Sequence, residues 1–170
     1  AIGLGRSKTA LVEKAIELCS KEELLQGQAS YDEDRQLWVV FDYDVRGIGR
    51  EAHDYNNAIR LANQNGFQVA YSNDSFELWF VLHYQYHEAA VTRNEYYQIL
   101  SDQLNCNYQE DGKNRQFAQS LYHIFISRQP EAIQNAKRLF EEKEDLVYSD
   151  QNPCTTVFKL VQELNKCLKK

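Results

Sequence analysis

Leu37-Trp38-Val39-Val40-Phe41-Asp42-Tyr43-Asp44 decides how the rest of this chain is read. Five consecutive apolar residues, two of them aromatic and two β-branched, run into two carboxylates spaced one residue apart. Such a run reads as a β-strand buried on both faces. Side chains alternate along a strand, so positions i and i+2 share a side. With extended geometry through Tyr43, Asp42 and Asp44 lie side by side at the carboxyl end of the strand. Ligands of open α/β sheets gather outside that end. Adjacent anions repel unless something positive sits between them, and a hard divalent cation meets that need. The plainer alternative is a turn, opened by Asp44 with Gly47 and Gly49 and capped by Asp42.

Upstream, Gly3-Leu4-Gly5-Arg6-Ser7-Lys8-Thr9 is a glycine-bearing loop that enters a helix. Leu11, Val12, Ala15, Ile16 and Cys19 share one face of that helix, and Lys14, Glu17, Lys21 and Glu22 face outward. Backbone N–H groups at a helix start attract anions, which makes Lys8 a candidate phosphate contact. The spacing departs from the P-loop pattern, and a structural loop with Ser7 as its cap serves equally well. Downstream, Arg46 and Arg50 flank the glycines, and Arg46 is the second candidate phosphate contact. A helix follows over about 51–65, with Tyr55, Ala58, Ile59 and Ala62 as its apolar stripe and Asn65-Gly66 as its stop. A strand over 67–72 comes next. Helix, strand, helix, strand is the signature of a parallel sheet with crossover connections.

The segment from Ser72 to Tyr84 begins at a strand end and becomes a helix that is apolar nearly all round, so it is expected to be central. Glu77 and His83 are its polar exceptions. With parallel strands, Glu77 emerges at the same sheet edge as Asp42 and Asp44, and three carboxylates converge. Structural alternatives exist for both residues. Asp74-x-x-Glu77 has the form of a capping box, and a buried neutral histidine needs only one or two hydrogen bonds. Helices are predicted near 93–104, 116–127, 130–143 and 155–169, with a loop over 105–115. The chain divides into an α/β core over 1–88 and a helical part over 89–170 packed on it. Tyr84, Tyr86, Tyr96 and Tyr97 suit core or rim packing better than stacking on bases.

Composition narrows the classes. The chain has 170 residues and a formal net charge of −6. That argues against a broad basic surface coating a duplex, but leaves room for a local site whose ion supplies the positive charge. Cys19, Cys106, Cys154 and Cys167 include no C-x-x-C pair, so zinc is poorly supported and reduced, buried thiols are the default. No apolar run is long enough to span a bilayer and no signal peptide is visible, so a cytoplasmic protein without a membrane partner is expected. The chain opens at Ala1, contains no methionine, and begins as if inside an element. Native sequence upstream is therefore expected.

Three blocks carry a resemblance. They are the Gly3–Thr9 loop followed by Leu11-Val12-Glu13-Lys14-Ala15, then Trp38 to Asp44, then Val69-Ala70-Tyr71-Ser72-Asn73-Asp74-Ser75-Phe76-Glu77-Leu78-Trp79-Phe80-Val81-Leu82-His83. Together they resemble the RloB-like family, bacterial proteins related to the AbiLii abortive-infection proteins. The resemblance implies a Toprim-like α/β fold: a small, mostly parallel sheet flanked by helices, with a helical C-terminal region. It implies a metal-dependent nuclease of phage defence, in which Asp42 and Asp44 hold Mg²⁺ (or Mn²⁺). Glu77, from the Phe-Glu-Leu-Trp block, is the catalytic third acid, supporting the ion's ligands from behind or binding a second ion. Ser72 also supports those ligands from behind, and His83 either does the same or serves the fold alone. The further glutamate of Toprim proteins precedes the glycine loop and falls before Ala1. A nucleic-acid substrate and an ATPase partner protein are implied; DNA versus RNA and homo-oligomer formation stay open. Two other classes compete: a catalytically silent interaction module, and a metal-dependent phosphatase of small phosphoesters.

Overall fold

The parallel pairing expected of the two main strands is present. β1 (Trp38–Asp42) and β2 (Gln68–Asn73) run side by side, in register from Trp38 opposite Gln68 to Asp42 opposite Ser72. The computed structural model describes residues 7–26, 36–44, 50–112 and 114–168. Among them the sheet order is β1-β2-β3, where β3 (Cys154–Thr155) pairs antiparallel to the end of β2. Two helices belong to the first half: α1 (Lys8–Gln26) and α2 (Arg50–Gln64). After β2 come α3 (Glu77–Val81), α4 (Arg93–Leu104), α5 (Tyr108–Asp111), α6 (Arg115–Phe125), α7 (Gln129–Glu141) and α8 (Val157–Leu168). The chain is thus mixed α/β, a small sheet flanked by helices. No helix among the described residues is long and apolar enough to cross a membrane.

Two apolar clusters cover the two faces of the sheet. One joins Val39 and Phe41 of β1 to Val69 and Tyr71 of β2, Val12 of α1 and the Tyr55, Ala58, Ile59 and Ala62 stripe of α2. Ser7 caps α1 as expected, its Oγ accepting from Ala10 N–H at 3.2 Å. The other cluster lies beneath the helical half and takes in Ala70, Leu78, Trp79, Leu82, Leu100, Leu139 and Phe158.

Four expectations are corrected. β1 is not buried on both faces: Val40 is 45% exposed. The helical half covers the sheet at Ala70 of β2, and β1 stands at the outer edge of these three strands. The helix after β2 is only five residues long, because i→i+3 bonds from His83 N–H to Phe80 O and from Tyr84 N–H to Val81 O wind it into a turn. The 105–115 stretch holds the short α5. The last helix starts at Val157 rather than at Thr155, since Cys154 and Thr155 are the third strand.

That third strand is short, and a side chain extends its work. Thr156 Oγ1 accepts from Tyr71 N–H at 2.9 Å and donates to Val69 O at 3.1 Å, all buried. Thr156→Val keeps the shape but orphans Tyr71 N–H inside the protein. The expected cost is about 1–3 kcal/mol, read from denaturant midpoints, with Thr156→Ser closer to wild type.

Candidate functional site

The acidic end of β1 is split between two environments. Phe41 and Tyr43 turn toward Tyr55 of α2, with ring centroids 5.8 and 4.8 Å away. Asp42 and Asp44 reach instead to Arg93 at the start of α4. Tyr43 N–H bonds Ser72 O at 2.8 Å, which carries the β1–β2 ladder one residue past the strand. The chain then turns: Asp44 has φ 52° and its N–H bonds Asp74 O at 3.0 Å. Aspartate is one of the few residues to visit this left-handed region, at a cost of about 1–2 kcal/mol. The backbone is thus held against preference where the second carboxylate is aimed.

Glu77 arrives from the other side, as the first residue of α3. It does not sit in the capping box that Asp74-x-x-Glu77 suggests, because Phe76 is the N-cap and makes no side-chain cap bond. All three acids surround one guanidinium. Arg93 Nη2 lies 3.1 Å from Asp42 Oδ2, Nη1 lies 2.9 Å from Asp44 Oδ1, and Nε lies 3.8 Å from Glu77 Oε2. Each of these side chains is partly buried, with 17–29% of its surface exposed. Arg93 is placed by a capping box: Thr92 N–H and Thr92 Oγ1 both donate to Glu95 Oε2 at 2.8 Å.

Among the described residues, one guanidinium faces three carboxylates. Burial pushes the Asp42 carboxyl up to about 6, helped by the charge on Glu77, against the pull of Arg93 and the Phe76 N–H. For Arg93, burial opposes the charged form, but Asp44, Glu77 and Asp42 outweigh it and hold the guanidinium more firmly protonated. Tyr97, one helical turn on from Arg93, borders the cluster; burial and then the charge on Glu77 raise its phenol. Glu77 Oε2 and Arg93 Nε are buried with no hydrogen-bond partner.

The donor chemistry of the three acids suits a divalent cation. The donors are hard carboxylate oxygens, the set that suits Mg²⁺ or Mn²⁺, and one buried oxygen is unsatisfied. As placed, no three His, Cys, Asp or Glu side chains among the described residues form a ready metal cage. Arg93 stands between these three.

The remaining sequence candidates separate. Ser72 lies directly behind the site. Its carbonyl holds Tyr43 N–H and accepts from Tyr55 Oη at 3.3 Å, and its Oγ meets Thr155 Oγ1 at 2.9 Å. Lys8 meets Asp54 of α2, whose carboxylate accepts from Lys8 N–H at 2.8 Å and Thr9 N–H at 3.2 Å. The N–H groups at the α1 start are therefore already taken by an anion of the chain itself. Arg46 lies outside the described residues, as do the glycines of the first loop. His83 packs against Trp79 and Phe125, with ring centroids 4.8 and 4.6 Å away. Its Nδ1 is 2.9 Å from Trp79 O, and since a carbonyl only accepts, the proton sits on Nδ1. His83 lines an apolar groove of about 570 Å³ with Phe80, Leu121 and Val161, none of them part of the acidic cluster.

Burial lowers the His83 pKa below 6.5, against weaker pulls from the Trp79 and Phe80 backbone and from Glu131. Burial favours the neutral imidazole in the folded state more than in the unfolded state, which protonates near pH 6.5. Its contribution is therefore present above that pH and lost as pH falls. Denaturant midpoints at pH 7.5 and 5.5 are expected to differ less in His83→Phe than in wild type. His87, also lowered by burial, keeps its share in both.

Arg93 is the residue that sequence reasoning missed. The available signal was Thr92-x-x-Glu95, which marks a helix start and so fixes Arg93 as its first residue. Fold and site together define a small mixed α/β chain that gathers three carboxylates, from the end of β1 and the start of α3, around one arginine. A family model described as RloB-like protein matches residues 3–164, and the chain belongs to that RloB-like family. No curated protein and no solved structure matches it.

Proposed function

We propose that this RloB-like chain is a Toprim-like, metal-dependent nuclease of phage defence, related to the AbiLii abortive-infection proteins and working in the cytoplasm. One observation carries the reading: the Asp42–Asp44 pair and Glu77, from separate parts of the chain, meet around Arg93 with a buried Glu77 oxygen unsatisfied. Asp42 and Asp44 would hold Mg²⁺ or Mn²⁺, with Glu77 as the third acid. When bound there, such an ion neutralises charge on a phosphodiester and lowers the pKa of an attacking water. The chain's own contribution is placement. Ser72 O and Asp74 O fix the turn that aims the two aspartates, and Trp79 and His83 anchor the helix that carries Glu77. Arg46 and the side-chain ammonium of Lys8, whose backbone N–H is bound by Asp54, are the basic groups we assign to the substrate backbone, and an ATPase is the partner the family resemblance suggests.

The ion pairs to Arg93 favour a second reading, in which the cluster is a structural network and the chain a silent interaction module beside that ATPase. Cleavage of single- and double-stranded DNA and RNA with Mg²⁺ or Mn²⁺ separates the two. The nuclease reading expects cleavage that is lost in Asp42→Ala. Equal cleavage by wild type and Asp42→Ala removes it.

A further inference from the structure

We infer that Arg93 is the site's own counter-ion, which keeps Asp42, Asp44 and Glu77 assembled and yields them to a divalent cation. The inference rests on the metal-dependent reading above and concerns how the site changes state.

Arg93 occupies the first position of α4, where the helix dipole disfavours a cation. The helix gains nothing from it there; the three acids do. Each acid meets a different nitrogen of the fork, at 3.1, 2.9 and 3.8 Å. A pair built only to hold the fold would match one guanidinium to one carboxylate bidentately and satisfy its donors. Here the third distance exceeds a hydrogen bond, and both Arg93 Nε and Glu77 Oε2 stay buried and unsatisfied. The guanidinium stands where the acids converge, yet it leaves Glu77 Oε2 without a hydrogen bond. A dication at that point offers the same oxygens twice the charge. Arg93 can leave without disturbing α4, because the Thr92–Glu95 cap does not use its side chain. That side chain is 29% exposed, so it has a way out to water.

The test uses the whole chain as wild type, Arg93→Gln and Arg93→Lys, with Mn²⁺ binding followed by electron paramagnetic resonance. Arg93→Gln is expected to bind Mn²⁺ about tenfold tighter, since a repelling charge has gone. It should also melt lower than wild type in EDTA and gain more from Mg²⁺. Arg93→Lys, a point charge in place of a fork, should fall between the two. A purely structural arginine would lower the melting temperature without tightening Mn²⁺, so unchanged or weaker affinity in Arg93→Gln overturns the inference. If Arg93→Gln does not fold, the wild type decides. Its Arg93 Nε–H resonance, assigned by its loss in Arg93→Lys, should shift or broaden with Mg²⁺ at the midpoint of metal binding. A resonance unmoved at saturating Mg²⁺, or no bound metal at all, also overturns it. Cleavage is scored apart. Metal exchange at Arg93 without any nuclease activity sinks the nuclease reading alone, and Asp42-dependent cleavage with an unmoved guanidinium sinks this inference alone.

Discussion

Asp42→Asn is expected to reduce Mg²⁺- or Mn²⁺-dependent cleavage by a factor of about 10²–10³, yet to melt no lower than wild type in EDTA. The first half follows from the role proposed for Asp42 as a ligand. The second follows from the charge count at the site. The Asp42 carboxyl is raised to about 6, first by burial and then by the charge on Glu77. A carboxylate whose folded pKa lies above its unfolded value is penalised by folding once ionised, and near pH 7 it is ionised. The amide removes that penalty and still offers an oxygen to the Phe76 N–H. Groups placed for chemistry commonly carry such a stability cost. Nuclease time courses and thermal melts in EDTA check both halves. A melting temperature that falls as far as a core substitution would mean that Asp42 is there to hold the fold.

Leu78→Ala provides that comparison and is expected to destabilise the protein by about 2–5 kcal/mol. Leu78 is fully buried and directly follows Glu77. Its cluster draws on Ala70 of β2, Leu100 of α4, Leu121 of α6, Leu139 of α7 and Val157 of α8. A cavity there loosens the contact between the sheet and every helix of the second half. At about 2–4 °C per kcal/mol for a chain of this size, the melting temperature should drop by about 4–20 °C. Because the cluster is shared, calorimetry should show one transition that moves as a whole. Leu168→Ala, at a position 72% exposed, should stay within about 0.5 kcal/mol of wild type.

Much of the frame was legible in the residues. The Leu37–Phe41 run and the helix-strand alternation led to β1, β2 and their parallel pairing. The span of α4 agrees with its predicted limits, and Pro130 sits in the first turn of α7 as its fixed φ favours. What the sequence hid depends on contacts across long chain separations. β3 is two residues long, too short for any periodicity, and exists only because it meets Ser72 and Asn73. Val40 has the composition of a core residue, but exposure is decided by which helix covers its face. The apolar run after Glu77 looks like a long helix, yet the chain must turn after Val81 to enter the second half. At the site, the two aspartates could be singled out because they directly follow the apolar run, one residue apart. Arg93 could not: a charged residue opening a helix looks like any solvated surface residue until the fold brings it to Asp42, 51 positions earlier.

Such separations set the smallest piece of this chain worth isolating. The acids come from the α/β half, but their balancing charge is delivered by α4. A fragment trimmed after α3 would keep a tidy run of secondary structure and lose the guanidinium that meets all three acids. For anyone cutting, fusing or transplanting this protein, the safe boundary therefore lies beyond α8, because β3 and Thr156 also hold β2 from the far end of the chain.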